Sequence, residues 1–212
     1  QFDINKNLIP YVLLGILSFA TAGFAQVRTD VSDNLQEVVS KRDMHSKHYL
    51  KPNGEMVAYI NAGPVHYKDE NNNWSDIQTK ITPNSGDFAG QNLQNSLQSS
   101  FPANFGAGQG VLLSGAFGEV LVGMHPSLKA ISESGDLLMV LENSQTVAPS
   151  FSEETASYQN VFSIADVEFI VDRGAVKNNV ILNSIPANLP TNAEFLSYSE
   201  TIQVPEGWTI ET

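Results

Sequence analysis

The sequence predicts a mainly β chain: an antiparallel β-sandwich preceded by a signal-peptide helix. Three observations carry this. Short runs that alternate apolar and polar residues recur about every 8–12 residues, with turn residues between them. No stretch alternates a strand with a long amphipathic helix, as a parallel α/β fold would require. The first 25 residues are laid out like a secretory leader.

The leader is read from its regions. Gln1 to Pro10 is polar with one cation, Lys6. The apolar run Tyr11 to Ala22 is shorter than the roughly 20 residues a bilayer core needs, but it fits the roughly 7–15 residues of a signal-peptide core. Gly23-Phe24-Ala25 then places small side chains at both recognition positions, so cleavage is expected between Ala25 and Gln26. The chain opens on Gln rather than Met, and the sequence reads as the front of a longer polypeptide.

Composition narrows the function classes. Net charge is −12, and removal of Lys6 and Asp3 with the leader leaves it unchanged. An acidic surface argues against nucleic acid and against anionic membrane surfaces as partners. No cysteine is present, which removes thiol catalysis and thiolate metal sites. An exported domain without disulfides must rest on its own core, and about 187 residues suffice for one. Past the leader no apolar run is long enough to hold the mature chain in a membrane.

The elements follow in order. Residues 26–46 read as a flexible or weakly helical lead-in, with Val31, Leu35, Val38 and Val39 at helical spacing. The β module is expected over 47–212. Pro52-Asn53-Gly54 is a turn before the strand Glu55–Ile60, and Asn61 to Pro64 is another. Val65-His66-Tyr67 and Trp74–Gln78 bracket an Asn-rich hairpin tip, because Asn and Asp tolerate the left-handed backbone of tight turns. Thr82–Gly110, poor in aliphatics, is expected to be a long surface loop with a short extended piece at Leu97–Phe101. Strands are expected at Val111–Ser114, Glu119–Met124, Ser127–Ser132 and Leu137–Leu141, followed by a polar connection over Thr146–Ala156. Asp166–Asp172 points Val167, Phe169 and Val171 inward. The return strand uses Val176, Val180 and Leu182, and Phe195–Val204 uses Leu196, Tyr198, Ile202 and Val204. A last strand is expected from Trp208.

Two segments resemble the N-terminal region of large secreted bacterial proteins of the wall-associated, RHS (YD-repeat) type. One is Ser46-Lys47-His48-Tyr49-Leu50 with Asn53-Gly54, Gly63–Asp69 and Asn73–Ile77. The other is Tyr158–Phe162 with Ala165–Val171, Val176–Leu182 and Pro186, continued by Phe195–Trp208. The resemblance covers about half of the mature chain and consists of strand-and-turn motifs. It implies a β-sandwich ahead of a long repeat or adhesive region, and it transfers no catalytic residue. The chain departs from the pattern by having no YD repeats and no Gly before Trp74.

Candidate chemistry is sparse. Asp69-x-Asn71-x-Asn73 opens like a calcium loop, but Trp74 stands where the turn needs Gly and Lys80 where it needs a bidentate Glu. Asp69, Glu70 and Asp76 therefore remain only weak calcium candidates. His45 and His48 would share a helical face but form no metal-binding spacing, and His66 reads as a packed or rim strand residue. No nucleophile motif occurs. Glu133 with Asp136, and Asp166 with Glu168, are nominal carboxylate pairs for glycoside hydrolysis. Trp74, Trp208, Tyr59, Tyr67, Tyr158 and Tyr198 could either stack sugars or fill a core. The glycine-rich segment Gly115–Pro126 carries no assignable role.

The expected function is a non-catalytic N-terminal module of a secreted or cell-surface protein, an adhesin or toxin-shell type, needing no cofactor. Its expected partners are the downstream domains of the same polypeptide and surface glycans. The alternatives are a carbohydrate-binding module or the accessory domain of a secreted hydrolase.

Overall fold

The computed structural model describes residues 2–3, 35–106 and 108–208. Of the expected leader only Phe2–Asp3 is described, as a short strand rather than a helix; the remainder of it, the cleavage point at Ala25 and Gln26, and residues 209–212 of the expected last strand lie outside the described residues. The chain is mainly β and every strand pair is antiparallel. No helix among the described residues is long and apolar enough to cross a membrane.

In chain order the strands are β1 (Phe2–Asp3), β2 (Gln36–Glu37), β3 (Ser46–Leu50), β4 (Met56–Ile60), β5 (His66–Lys68), β6 (Trp74–Asp76), β7 (Thr82–Pro83), β8 (Phe88–Asn92) and β9 (Gln98–Pro102). They continue with β10 (Val111–Gly115), β11 (Gly118–Ile131), β12 (Leu137–Asn143), β13 (Ser150–Ser152), β14 (Thr155–Phe162), β15 (Ala165–Asp172), β16 (Ala175–Leu182) and β17 (Phe195–Gln203). One sheet has the order β1-β17-β11-β10-β9-β8-β7, with β12 also on β11. A second sheet is β13-β14-β15-β16, a third is β2-β3-β4, and β5 pairs with β6.

β15 shows why these residues make a sheet. Ala165, Val167, Phe169 and Val171 are buried while the residues between them are not, a strict period of two. Val176, Val180 and Leu182 of β16 pack against the same core, as their spacing predicts. The core joins residues of the two large sheets. Phe105 stacks on Tyr158 at 4.6 Å between ring centroids and meets Phe169 edge-on at 5.6 Å. Phe101, Val111 and Leu128 close the other side. Offset and edge-to-face geometries of this kind add to the burial of large rings.

Several sequence expectations are revised. Residues 36–46 are not a helical lead-in: β2 pairs with β3, a single 3-10 turn spans Val39–Lys41, and the expected boundary at 46/47 falls inside β3. Thr82–Gly110 is not one loop: the extended piece expected at Leu97–Phe101 is β9, but β7 and β8 precede it. Its polar residues deceive because they are buried with partners. The Asn92 amide donates to the carbonyls of Gln78 and Lys80, and Asn95 clasps the Asp172 carbonyl and the Gly174 amide. Such pairing offsets the cost of burying these amides, fully for Asn95 and for the donor side of Asn92, whose Oδ1 has no hydrogen bond. Thr146–Ala156 likewise contains β13 and the start of β14.

The two strands expected at Glu119–Met124 and Ser127–Ser132 are one strand, β11. Pro126 is tolerated there because the pairing with β17 shifts register between Leu121 and Met124 and again between Met124 and Ser127. The glycine-rich segment is thereby placed. Gly115 faces Gly118 across the β10–β11 turn, and the rest is the first half of β11. On β17, Leu196 is buried, but Ile202 is 40 % exposed, so the inward alternation holds only for its first half.

Candidate functional site

The densest chemistry lies where the β2-β3-β4 sheet meets the β5–β6 hairpin. Glu37 on β2, Lys47 on β3 and Asp76 on β6 converge there on Arg42, which follows the 3-10 turn. The guanidinium donates to both oxygens of Glu37 at 2.8 Å, to Asp76 Oδ2 at 3.0 Å and to the Trp74 carbonyl at 3.2 Å. Its side chain is 13 % exposed. Lys47 Nζ bonds the other Asp76 oxygen. A planar fork matched to a carboxylate is the strong form of ion pair.

The Arg42 hydrogen bond lowers the Glu37 carboxyl below its ordinary value, burial opposes it, and the charges of Arg42 and Lys47 assist it. For Asp76 burial acts to raise the carboxyl, but the Lys47 hydrogen bond and the Lys47 and Arg42 charges outweigh it, and the result is again lowered.

His66 is fully buried in this junction. Its Nδ1 lies 2.7 Å from the Asp43 carbonyl, which can only accept, so Nδ1 carries the hydrogen. Nε2 has no hydrogen bond and lies 3.6 Å from Asp76 Oδ1 and 3.9 Å from Glu37 Oε1. Among the described residues no group of three or more His, Asp or Glu has a metal-holding arrangement. The two carboxylates nearest His66 are already neutralised by Arg42 and Lys47.

Beside the junction a groove is lined by Asp43, Met44, His45, Ser46, His48, Ile60 and Trp74. Asp43, Ser46 and His48 meet here, a trio that sequence reading missed although its spacing, Asp43-x-x-Ser46-x-His48, is local. The wiring is not that of a catalytic triad, in which the histidine takes the serine proton and the acid orients the histidine. Ser46 Oγ donates instead to Asp43 at 2.6 Å, while His48 Nδ1 is 3.5 Å away. Asp43 also accepts the His45 and Ser46 amides. The Ser46 hydroxyl, and then the His45 amide, hold its carboxyl below the ordinary range, which weakens it as a base. The arrangement is a side-chain cap on the start of β3. His45 precedes β3 and His48 lies on it, so they do not share the helical face expected of them.

The other sequence candidates are placed apart. Asp69 accepts the Asn71 and Asn73 amides and the Ser75 hydroxyl, which closes the hairpin tip around Asn72 at φ 61°. Asp76 serves Arg42 and Lys47, and Glu70 is exposed, so the three calcium candidates do not converge on one centre. Asp166 accepts the Asn160 amide and the Asn183 side chain, and Glu168 accepts the Ser157 hydroxyl. Asp136 accepts from Ser134 in the β11–β12 turn, and Glu133 lines a shallow groove with Ser132, Ser134, Asn192 and Glu194.

The aromatic residues are dispersed. Tyr158 is buried, and its hydroxyl donates to the Pro102 carbonyl at 3.1 Å. Tyr198 packs edge-on against Phe162 and donates to Glu200. Tyr59 meets Tyr49 edge-on, and the Trp74 ring carries the Lys68 ammonium at 4.2 Å from its centroid. Trp208 is 53 % exposed, beyond the end of β17. No family model, no curated protein and no solved structure matches the chain.

Proposed function

We propose that this chain is a non-catalytic module of an exported bacterial surface or secreted protein, a β-sandwich that supports or presents further domains of the same polypeptide, as in RHS-type shells or adhesins. The observation that carries this reading is the employment of the polar side chains. The carboxylates with reactive potential by spacing, among them Asp43, Asp69, Asp76, Asp166 and Glu168, each hold a turn, a strand start or an ion pair. A reactive site needs a base within reach of a nucleophile or a proton to be moved, whereas these groups are spent on structure. The leader layout supports the compartment. The test is export. The first 40 residues fused to a reporter active only outside the cytoplasm should confer activity, and mass spectrometry should find the mature chain starting at Gln26. Retention of an uncleaved, inactive fusion in the cytoplasm would sink the reading.

A further inference from the structure

The charge of the described chain is unevenly spread. Residues 35–80 hold six acidic and six basic side chains, whereas residues 81–208 hold thirteen acidic and three basic. Two copies would repel through the second part, and the first is where they can approach. Among the described residues β4 is an edge strand: it pairs with β3 alone, in unbroken register from Ser46 opposite Ile60 to Leu50 opposite Met56.

An edge exposes unpaired backbone donors and acceptors, and natural edges are guarded by charge, proline or bulges. β4 has none of these along Met56-Val57-Ala58-Tyr59-Ile60. Its outward side chains are uncovered, Met56 at 48 % and Ile60 at 79 % exposed, and Leu50 of β3 and Met44 of the preceding loop are exposed near them.

We propose that β4 is a homodimer interface: two copies pair antiparallel through it about a two-fold axis at Ala58 and join their three-stranded sheets into one of six strands. The register is self-complementary. Met56 falls opposite the second copy's Ile60, Val57 opposite Tyr59, and Glu55 opposite Asn61, with no like charges in apposition. β12 is the other largely apolar edge, but it carries a charge, Glu142, within the strand. Its pairing with β11 is broken by two register shifts, and it lies in the strongly acidic part of the chain. The inference concerns the described strands alone and does not depend on where the chain resides.

The chain has no cysteine, which makes a direct test available. Directly opposed residues of an antiparallel pair have Cα atoms about 4.5–5.5 Å apart, within disulfide reach. Ala58→Cys should therefore form a covalent dimer in mild oxidant, while Val140→Cys on β12 should not. Sedimentation should show the wild-type chain dimerising with concentration, and Ala58→Lys, at an exposed position, should shift it to monomer with at least a tenfold weaker association. Unchanged thermal melting of Ala58→Lys would show that the fold is kept. A wild-type chain that stays monomeric to about 100 μM would overturn the proposal, as would a dimer that survives Ala58→Lys or is cross-linked through Val140→Cys.

Discussion

At the scale of single residues, Arg42 is the side chain with most depending on it. It satisfies Glu37 with two bonds, shares Asp76 with Lys47 and caps the Trp74 carbonyl. Removing one partner of a mostly buried ion pair leaves the opposing charge desolvated, which costs more than the pair contributes. Arg42→Met, which keeps much of the volume, is expected to destabilise by about 3 kcal/mol in urea denaturation at pH 7. Lys47→Met should cost about 1 kcal/mol or less, since its ammonium is more exposed and Asp76 keeps Arg42. The Arg42 deficit has a defined pH dependence. Glu37 and Asp76 are held below their ordinary values. The stability they contribute is present above the unfolded values of about 4 and is lost as pH falls through the folded ones. The gap between wild type and Arg42→Met should therefore narrow below about pH 4.

At the scale of elements, the long strand β11 reaches the core by way of Gly123, whose φ is +75°. A Cβ there would lie 2.8 Å from Phe105 Cε2 and 3.3 Å from Phe169 Cζ. Gly123→Ala thus combines left-handed strain of about 1–2 kcal/mol with overpacking of about 1–3 kcal/mol. Gly135→Ala, in the β11–β12 turn at φ +89° with open space around it, should show the strain alone. Two thermal melts separate the contributions. Phe169→Ala on β15 tests the core itself and should cost about 3–5 kcal/mol. Here the sequence was legible where periodicity and burial agree: β15, β16 and the β5–β6 hairpin stand where alternation places them. It was not legible where polarity masked burial. Asn92 and Asn95 are buried in or beside β8 and β9, and a chain rich in such residues looks like loop until their carbonyl partners are known. The charged junction was hidden for a related reason. Arg42 is separated by more than twenty residues from both His66 and Asp76, and only the docking of the hairpin onto the small sheet brings them together. The Asp43–Ser46 cap, by contrast, was readable from its three-residue spacing.

At the scale of the whole molecule, the depressed carboxyls lie mostly at one end of the sequence. Glu37, Asp43, Glu55, Asp69 and Asp76 belong to residues 35–80, and only Asp172 belongs to the remainder. For each the folded state favours the ionised form, so its contribution is complete above the unfolded value near 4 and disappears as pH falls below it. The aromatic core between the two large sheets has no such dependence, because Phe101, Phe105, Tyr158 and Phe169 are uncharged throughout that range. Burial even raises the Tyr158 phenol, so it stays neutral in acid as at pH 7. Acidification also protonates the thirteen carboxylates of residues 81–208 and relieves their mutual repulsion, which works in favour of that part. Loosening should therefore begin in the small sheet and its hairpin rather than spread evenly. Amide hydrogen exchange, corrected for its intrinsic pH dependence, should show β3, β5 and β6 losing protection between pH 7 and pH 3, with β14 and β15 keeping theirs. Uniform loss across both regions would mean that the charged junction is too tightly coupled to the core to open separately. Earlier loss in β14 and β15 would place the acid-sensitive interactions elsewhere than at Arg42.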